Sequence, residues 1–140
     1  MQLTAIRRYP VKSLQGEQLA DAAIDADGVR GDRSWGIRDA ATGRILTGRR
    51  EPRLLLAAAT LRDDGEPELA LPDGTVVGGV GDSTDAELSD WLGRPVNLVP
   101  AAGAPGGQAE FFADATDDTS AAIEWTMPAG RFVDALALLG

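Results

Sequence analysis

Lys12 and Ser13 close the stretch Tyr9-Pro-Val-Lys-Ser-Leu14, placing an ammonium and a hydroxyl side by side just after a proline that fixes the backbone. These are donors that an oxyanion such as a phosphate accepts. A second place of the same kind is Gly28-Val-Arg-Gly-Asp-Arg-Ser-Trp35, where Gly28 and Gly31 permit tight turns and Arg33 offers a two-pronged guanidinium. A third, Thr47-Gly-Arg-Arg-Glu-Pro-Arg53, carries three arginines in seven residues and could rim the same pocket. Each has a plainer account: a solvated loop at 9–14, a surface pair of Asp32 and Arg33 with Trp35 in the core, and an exposed hairpin end at 47–53. Residue types and spacing alone favour the plainer account in all three.

The chain has neither cysteine nor histidine. That removes a Ser/His/Asp triad, a thiolate nucleophile and a Cys/His zinc site, and it removes any disulfide framework. Asp114, Asp117 and Asp118 have no accompanying ligand types and read as a solvated acidic loop. Trp91 and its neighbours read as core. The net charge of -9 conceals an asymmetry: residues 1–62 hold eleven basic against seven acidic residues, residues 63–140 two against fifteen. The basic half is where an anion would bind. An acidic chain with few aromatics is a poor binder of nucleic acid, which requires many phosphates to be neutralised at once, so a small anionic ligand fits better. No apolar run is long enough for a signal peptide or a membrane span, and the default expectation is a cytoplasmic protein with neither nucleic acid nor membrane as partner.

The elements that would position these residues are short. The pattern predicts a strand over Leu3 to Arg8 that ends at Tyr9-Pro10, a second over Leu19 to Ile24, and a third over Ser34 to Arg38 with Trp35 and Ile37 on one face. Ala41-Thr42-Gly43 closes a hairpin onto Ile45 to Thr47. Leu54 to Leu61, nearly all apolar and bounded by Pro52 and Asp63-Asp64-Gly65, predicts a buried strand over a helix, which its alanines would also allow. A hairpin over Glu68 to Val77 turns at Pro72-Asp73-Gly74. One helix follows, with Thr84 as N-cap, Glu87 completing a capping box, Leu88, Trp91 and Leu92 on one face, and Gly93 and Pro95 ending it. Val96 to Val99 resumes as a strand. Residues 101–110 read as a glycine- and proline-rich loop, and 110–118 as having little regular structure. The expected fold is mainly β with one short α-helix (α+β), a small β-barrel-like domain of residues 1–130. Residues 131–140, apolar to the end, read as a final strand or as the start of a further domain.

At these same residues the chain resembles the MOSC proteins that carry an N-terminal β-barrel domain, among them the mitochondrial amidoxime-reducing components. The matching pieces are Tyr-Pro-Val-Lys-Ser-Leu at 9–14, Gly-Asp-Arg-Ser-Trp at 31–35, Thr-Gly-Arg-Arg-Glu-Pro-Arg-Leu at 47–54, Leu-Pro-Asp-Gly at 71–74, Trp-Leu-Gly-Arg-Pro-Val at 91–96 and Phe-Val-Asp at 132–134. Each is weak alone; their order and spacing are specific. The resemblance implies a barrel domain set against a C-terminal MOSC domain of the same protein, with the molybdenum cofactor (molybdopterin) in the cleft between them. It implies that Lys12, Ser13 and Arg33 contact the anionic phosphate end of the pterin, while Arg49, Arg50 and Arg53 have no matched role. Family members bind the metal through a cysteine thiolate in the MOSC domain, a soft ligand suited to it, and this chain has none.

The expectation is therefore a fragment, not catalytic by itself. The full-length protein is expected to be a molybdenum-dependent oxidoreductase that reduces N-hydroxylated compounds or handles sulfur, served by a redox partner protein. The competing expectation is a non-catalytic barrel module that binds a protein partner or another phosphorylated ligand.

Overall fold

The computed structural model describes residues 2–26 and 28–101, and beyond them the strand backbones of residues 108–112 and 122–126. Strand β1 (Ile6–Arg8) pairs antiparallel with β2 (Glu17–Leu19), and β3 (Ile24–Asp25) with β4 (Gly28–Val29). After β5 (Trp35–Asp39), a 3-10 turn at Pro52–Leu56 leads into β6 (Ala58–Leu61). This strand forms an antiparallel three-stranded sheet with β7 (Pro67–Ala70) and β8 (Val76–Gly78). Helix α1 (Asp82–Leu92) follows, then β9 (Val96–Pro100), antiparallel to β5, and a last antiparallel pair, β10 (Gln108–Phe112) with β11 (Ala122–Thr126).

The core lies where α1, the β5–β9 pair and the three-stranded sheet meet. Strand alternation fills it: Leu69 is buried between exposed Glu68 and Ala70, and Val96 and Leu98 turn inward on β9, with Leu98 opposite Ile37. Thr84, Leu88 and Leu92, four residues apart, form the buried face of α1. Burying a leucine of this kind stabilises by about 1.5–3 kcal/mol. The helix is also tied to β9 by polar contacts. The Leu98 N–H donates to Asp85 Oδ1 at 2.9 Å, and the Val96 N–H to Ser89 Oγ at 3.0 Å.

The segment from Pro10 to Gln15 forms a strap across this framework. Val11 makes a parallel bridge to Trp35 at the start of β5, and Gln15 makes one to Ala58 at the start of β6. The Lys12 N–H donates to the Trp35 carbonyl at 2.9 Å and the Trp35 N–H to that of Pro10 at 3.0 Å; the Gln15 N–H donates to the Ala57 carbonyl at 2.9 Å. The strap is thus the link between the β5–β9 pair and the β6–β7–β8 sheet.

The α+β class holds, with the strands predominating and one helix among the described residues. The sheets do not close into a barrel there: four have two strands, one has three, and single bridges at Val11, Gln15 and Ile45 make the links. Strands of two to five residues give ladders too short for a continuous closed sheet. Several boundaries move for local reasons. β1 begins at Ile6, and Leu3 is exposed. The strand expected over Leu19 to Ile24 is two elements, because β2 ends at Leu19 and Ile24, 75% exposed, turns back in a tight hairpin onto Val29. The apolar run from Leu54 splits into the 3-10 turn and β6: Pro52 supplies a helix-start geometry, and Leu54 alone of the turn's three leucines is buried. Helix α1 starts at Asp82 behind Gly81, so Thr84 is a buried first-turn residue whose hydroxyl donates to the Gly78 carbonyl at 3.3 Å, and no capping box forms. Gly93 ends the helix in the left-handed conformation, φ 69°. The 41–43 turn, the 71–75 hairpin and β9 form as expected. Residues 108–112 and 122–126, read as loop or not read as strands, pair in register instead. Residues 131–140 lie outside the described residues.

Candidate functional site

Lys12 and Ser13 are the two central residues of a four-residue turn closed by the Leu14 N–H on the Val11 carbonyl at 3.3 Å. Ser13 sits at φ 70°, the value that the third position of a type II turn demands and that glycine or asparagine usually supplies. A serine there costs on the order of 1 kcal/mol of backbone strain. The turn exists because both flanks are anchored, Val11 and Leu14 in the core and Gln15 on β6. Lys12 is only 6% exposed, unusual for a lysine.

The second motif packs on the first. Gly31, at φ 84°, is the third residue of a turn closed by the Asp32 N–H on the Val29 carbonyl at 3.1 Å. Asp32 Oδ1 then accepts the Tyr9 N–H at 2.8 Å, and the Arg33 N–H donates to the Tyr9 carbonyl at 2.6 Å. Ser34 Oγ donates to the Gly31 carbonyl at 2.8 Å. Arg33 is held at φ 51°, again left-handed. Its guanidinium carbon stands 5.5 Å from the centre of the Tyr9 ring, and its Nη1 donates to Asp32 Oδ2 at 2.5 Å. The pairing of Asp32 with Arg33, set out above as the plainer account, is therefore present, and Trp35 packs partly buried against the core.

The third motif meets the first through its backbone. The Gly48 N–H donates to Ser13 Oγ at 2.9 Å, which leaves the serine's own O–H as a donor. The Glu51 N–H closes the loop on the Thr47 carbonyl at 2.8 Å. The arginines of this motif part company. Arg53 is committed to scaffold: Nε and Nη2 grip the two oxygens of Glu51 at 2.7 and 2.8 Å, and the guanidinium also donates to the Leu92 carbonyl at 2.9 Å and that of Trp91 at 3.3 Å. It caps the C-terminal end of α1, where a cation is favoured. Arg49 and Arg50 lie on the exposed part of the loop.

Glu51, 6% exposed, also receives Arg94 Nη2 at 3.0 Å, and Arg94 Nη1 reaches Asp39 Oδ2 at 3.5 Å. The hydrogen bonds from Arg53 hold the Glu51 carboxyl below its ordinary range against the opposing cost of burial, and the charges of Arg53 and Arg94 add to the lowering. Asp39 is lowered first by the Thr42 backbone N–H, then, against burial, by the Ala41 N–H and the charge of Arg94. Glu51 and the Gly48 N–H were not singled out from the sequence, and Asp32 was named only as a surface partner of Arg33. Glu51 could have been suspected as the one acid amid three arginines; nothing in the sequence marks Arg94 as its partner.

The structure thus brings the strap turn of Lys12 and Ser13 together with the Arg33 turn and the Gly48 loop, whereas the Arg53 guanidinium is turned to Glu51 and the end of α1. Among the described residues no group of three acidic, cysteine or histidine side chains could hold a metal ion, and no helix is long and apolar enough to cross a membrane. Compared with known families, the chain matches the MOSC N-terminal beta barrel domain over residues 1–93. The match contains all three loops and ends at Gly93; it does not single out the amidoxime-reducing components. No curated protein and no solved structure matches the chain.

Proposed function

Because the chain belongs to the MOSC N-terminal beta barrel domain family, we propose that it is the cofactor-positioning domain of a molybdenum-cofactor protein, in which Lys12, Ser13 and Arg33 hold the anionic phosphate end of the pterin. One observation carries this reading. Among the described residues Ser13 and Arg33 are the two non-glycine residues at positive φ, and strained backbone of this kind persists where the surrounding structure enforces a functional geometry. The donor chemistry fits the group: a scarcely exposed ammonium, a hydroxyl with its proton to give, and a guanidinium laid on an aromatic ring.

In this role the strap does the binding. The turn aims Lys12 and Ser13, the hydrogen bonds between Tyr9 and the Arg33 turn fix the distance between the two motifs, and Gly48 orients the serine hydroxyl. The bound cofactor would supply a redox-active metal for oxygen- or sulfur-transfer chemistry. A C-terminal MOSC domain would supply the thiolate and the second wall of the cleft. Leu55 and Leu56, 54% and 63% exposed beside the Gly48 loop, support a protein surface on that side. The full protein would then be a molybdoenzyme that reduces N-hydroxylated compounds or handles sulfur, fed by a redox partner.

Charge-assisted hydrogen bonds contribute ~1.5–3 kcal/mol each, so two cations offset by Asp32 retain free phosphate in about the millimolar range. Titration of the chain with inorganic phosphate, followed residue by residue through backbone amide resonances, tests the proposal. Shifts concentrated at residues 9–14, 31–35 and 48 are expected; shifts elsewhere, or none at tens of millimolar, would sink it.

A further inference from the structure

We infer that Asp32 limits how tightly this site holds an anion, and that its two oxygens do separate jobs. The inference rests on the anion-binding role proposed above and concerns what sets its strength. Oδ1 is structural: it accepts the Tyr9 N–H at 2.8 Å and so pins the strap to the Arg33 turn. Oδ2 is electrostatic: it takes Arg33 Nη1 at 2.5 Å. The Asp32 and Arg33 side chains are 16% and 34% exposed, so the pair is only partly screened by solvent. An anion arriving at Arg33 meets a guanidinium whose charge is already countered by the adjacent carboxylate, and it is repelled by that carboxylate at the same time. The arrangement keeps the guanidinium over the Tyr9 ring when no ligand is present, and the cost is affinity.

The two jobs separate by substitution. Asp32→Asn keeps a side-chain oxygen for the Tyr9 N–H and removes the charge, whereas Asp32→Ala removes both. With inorganic phosphate as the probe at low ionic strength, Asp32→Asn is expected to bind about two- to fivefold more tightly than the parent chain, the range for removing a partly exposed like charge. The gain should shrink as salt is raised. Asp32→Ala should lose the gain along with thermal stability, because the strap is unpinned. Should Asp32→Asn fail to fold, Asp32→Ser, which also lacks the charge and retains a hydroxyl acceptor, reads the same sign. Weaker or equal phosphate binding by folded Asp32→Asn or Asp32→Ser, with the parent chain still binding, overturns the inference and leaves the anion site standing. No phosphate response in any of the chains removes the anion site and this inference with it.

Discussion

Arg33 and Arg53 both lie close in sequence to an acidic partner, Asp32 one residue before and Glu51 two before, yet their surroundings differ. Arg53 sits in a 3-10 turn with its guanidinium divided between a buried carboxylate and the last carbonyls of α1, contacts that support the fold. Arg33 stands on a left-handed backbone, against an aromatic ring, beside a second turn that presents Lys12 and Ser13. An arginine count would rank the 47–53 loop as the stronger anion site, with three in seven residues against one in the Gly-Asp-Arg-Ser-Trp motif. Backbone geometry reverses that order. A cation that joins a buried carboxylate to a helix end is scaffold, and a cation that the chain strains itself to present is a candidate for binding.

The largest expected effect lies on the scaffold side. Glu51→Ala removes a carboxylate that three arginine hydrogen bonds satisfy, and should cost about 2–3 kcal/mol in urea unfolding, since Arg53 and Arg94 are exposed enough to regain water. The same substitution should flatten the acid limb of stability. Because the folded carboxyl of Glu51 is lowered, its contribution is fully present above the ordinary glutamate range and is lost as pH falls through the folded value. The parent chain should therefore weaken steeply below about pH 4, and the variant less so, with Asp39 still contributing. Equal acid limbs in the two chains would deny Glu51 its place in the cluster.

A smaller effect sharpens the other side. If Arg33 is strained, Arg33→Gly should be more stable than Arg33→Ala by about 1 kcal/mol, since both lose the same guanidinium and only glycine is at ease at φ 51°. Alanine equal to or better than glycine would remove the strain argument.

Much of this fold is legible in the residues. The turn at Asp73-Gly74, the alternation of β7, the buried Leu88 and Leu92 and the stop at Gly93 all follow from local chemistry. What local chemistry did not convey is tertiary. Leu54, Leu55 and Leu56 are equivalent as letters, and only the packing of the 3-10 turn decides that the first is buried and the others are not. Thr84 resembles an N-cap, but Gly81, at φ 148°, lets the helix begin earlier. At the site, Lys12, Ser13 and Arg33 were visible as donor types, and the family resemblance pointed to them; the hydrogen bonds from Tyr9 to Asp32 and from Gly48 to Ser13, which make one site of three loops, span 23 and 35 residues and leave no periodic trace. Among the described residues the sheets stop short of the barrel expected from strand spacing for a related reason, because spacing says how often strands occur and not how long their ladders run.

The central claim is that binding and scaffold are carried by different arginines, and a crossed comparison of Arg33→Ala with Arg53→Ala tests it most directly. Phosphate affinity and urea stability would be measured on both variants. Arg33→Ala should weaken phosphate binding about tenfold or more, at a stability cost below about 1 kcal/mol; Arg53→Ala should cost about 1–2 kcal/mol and leave phosphate binding within about twofold of the parent. Phosphate binding lost with Arg53 and kept without Arg33 would contradict the account.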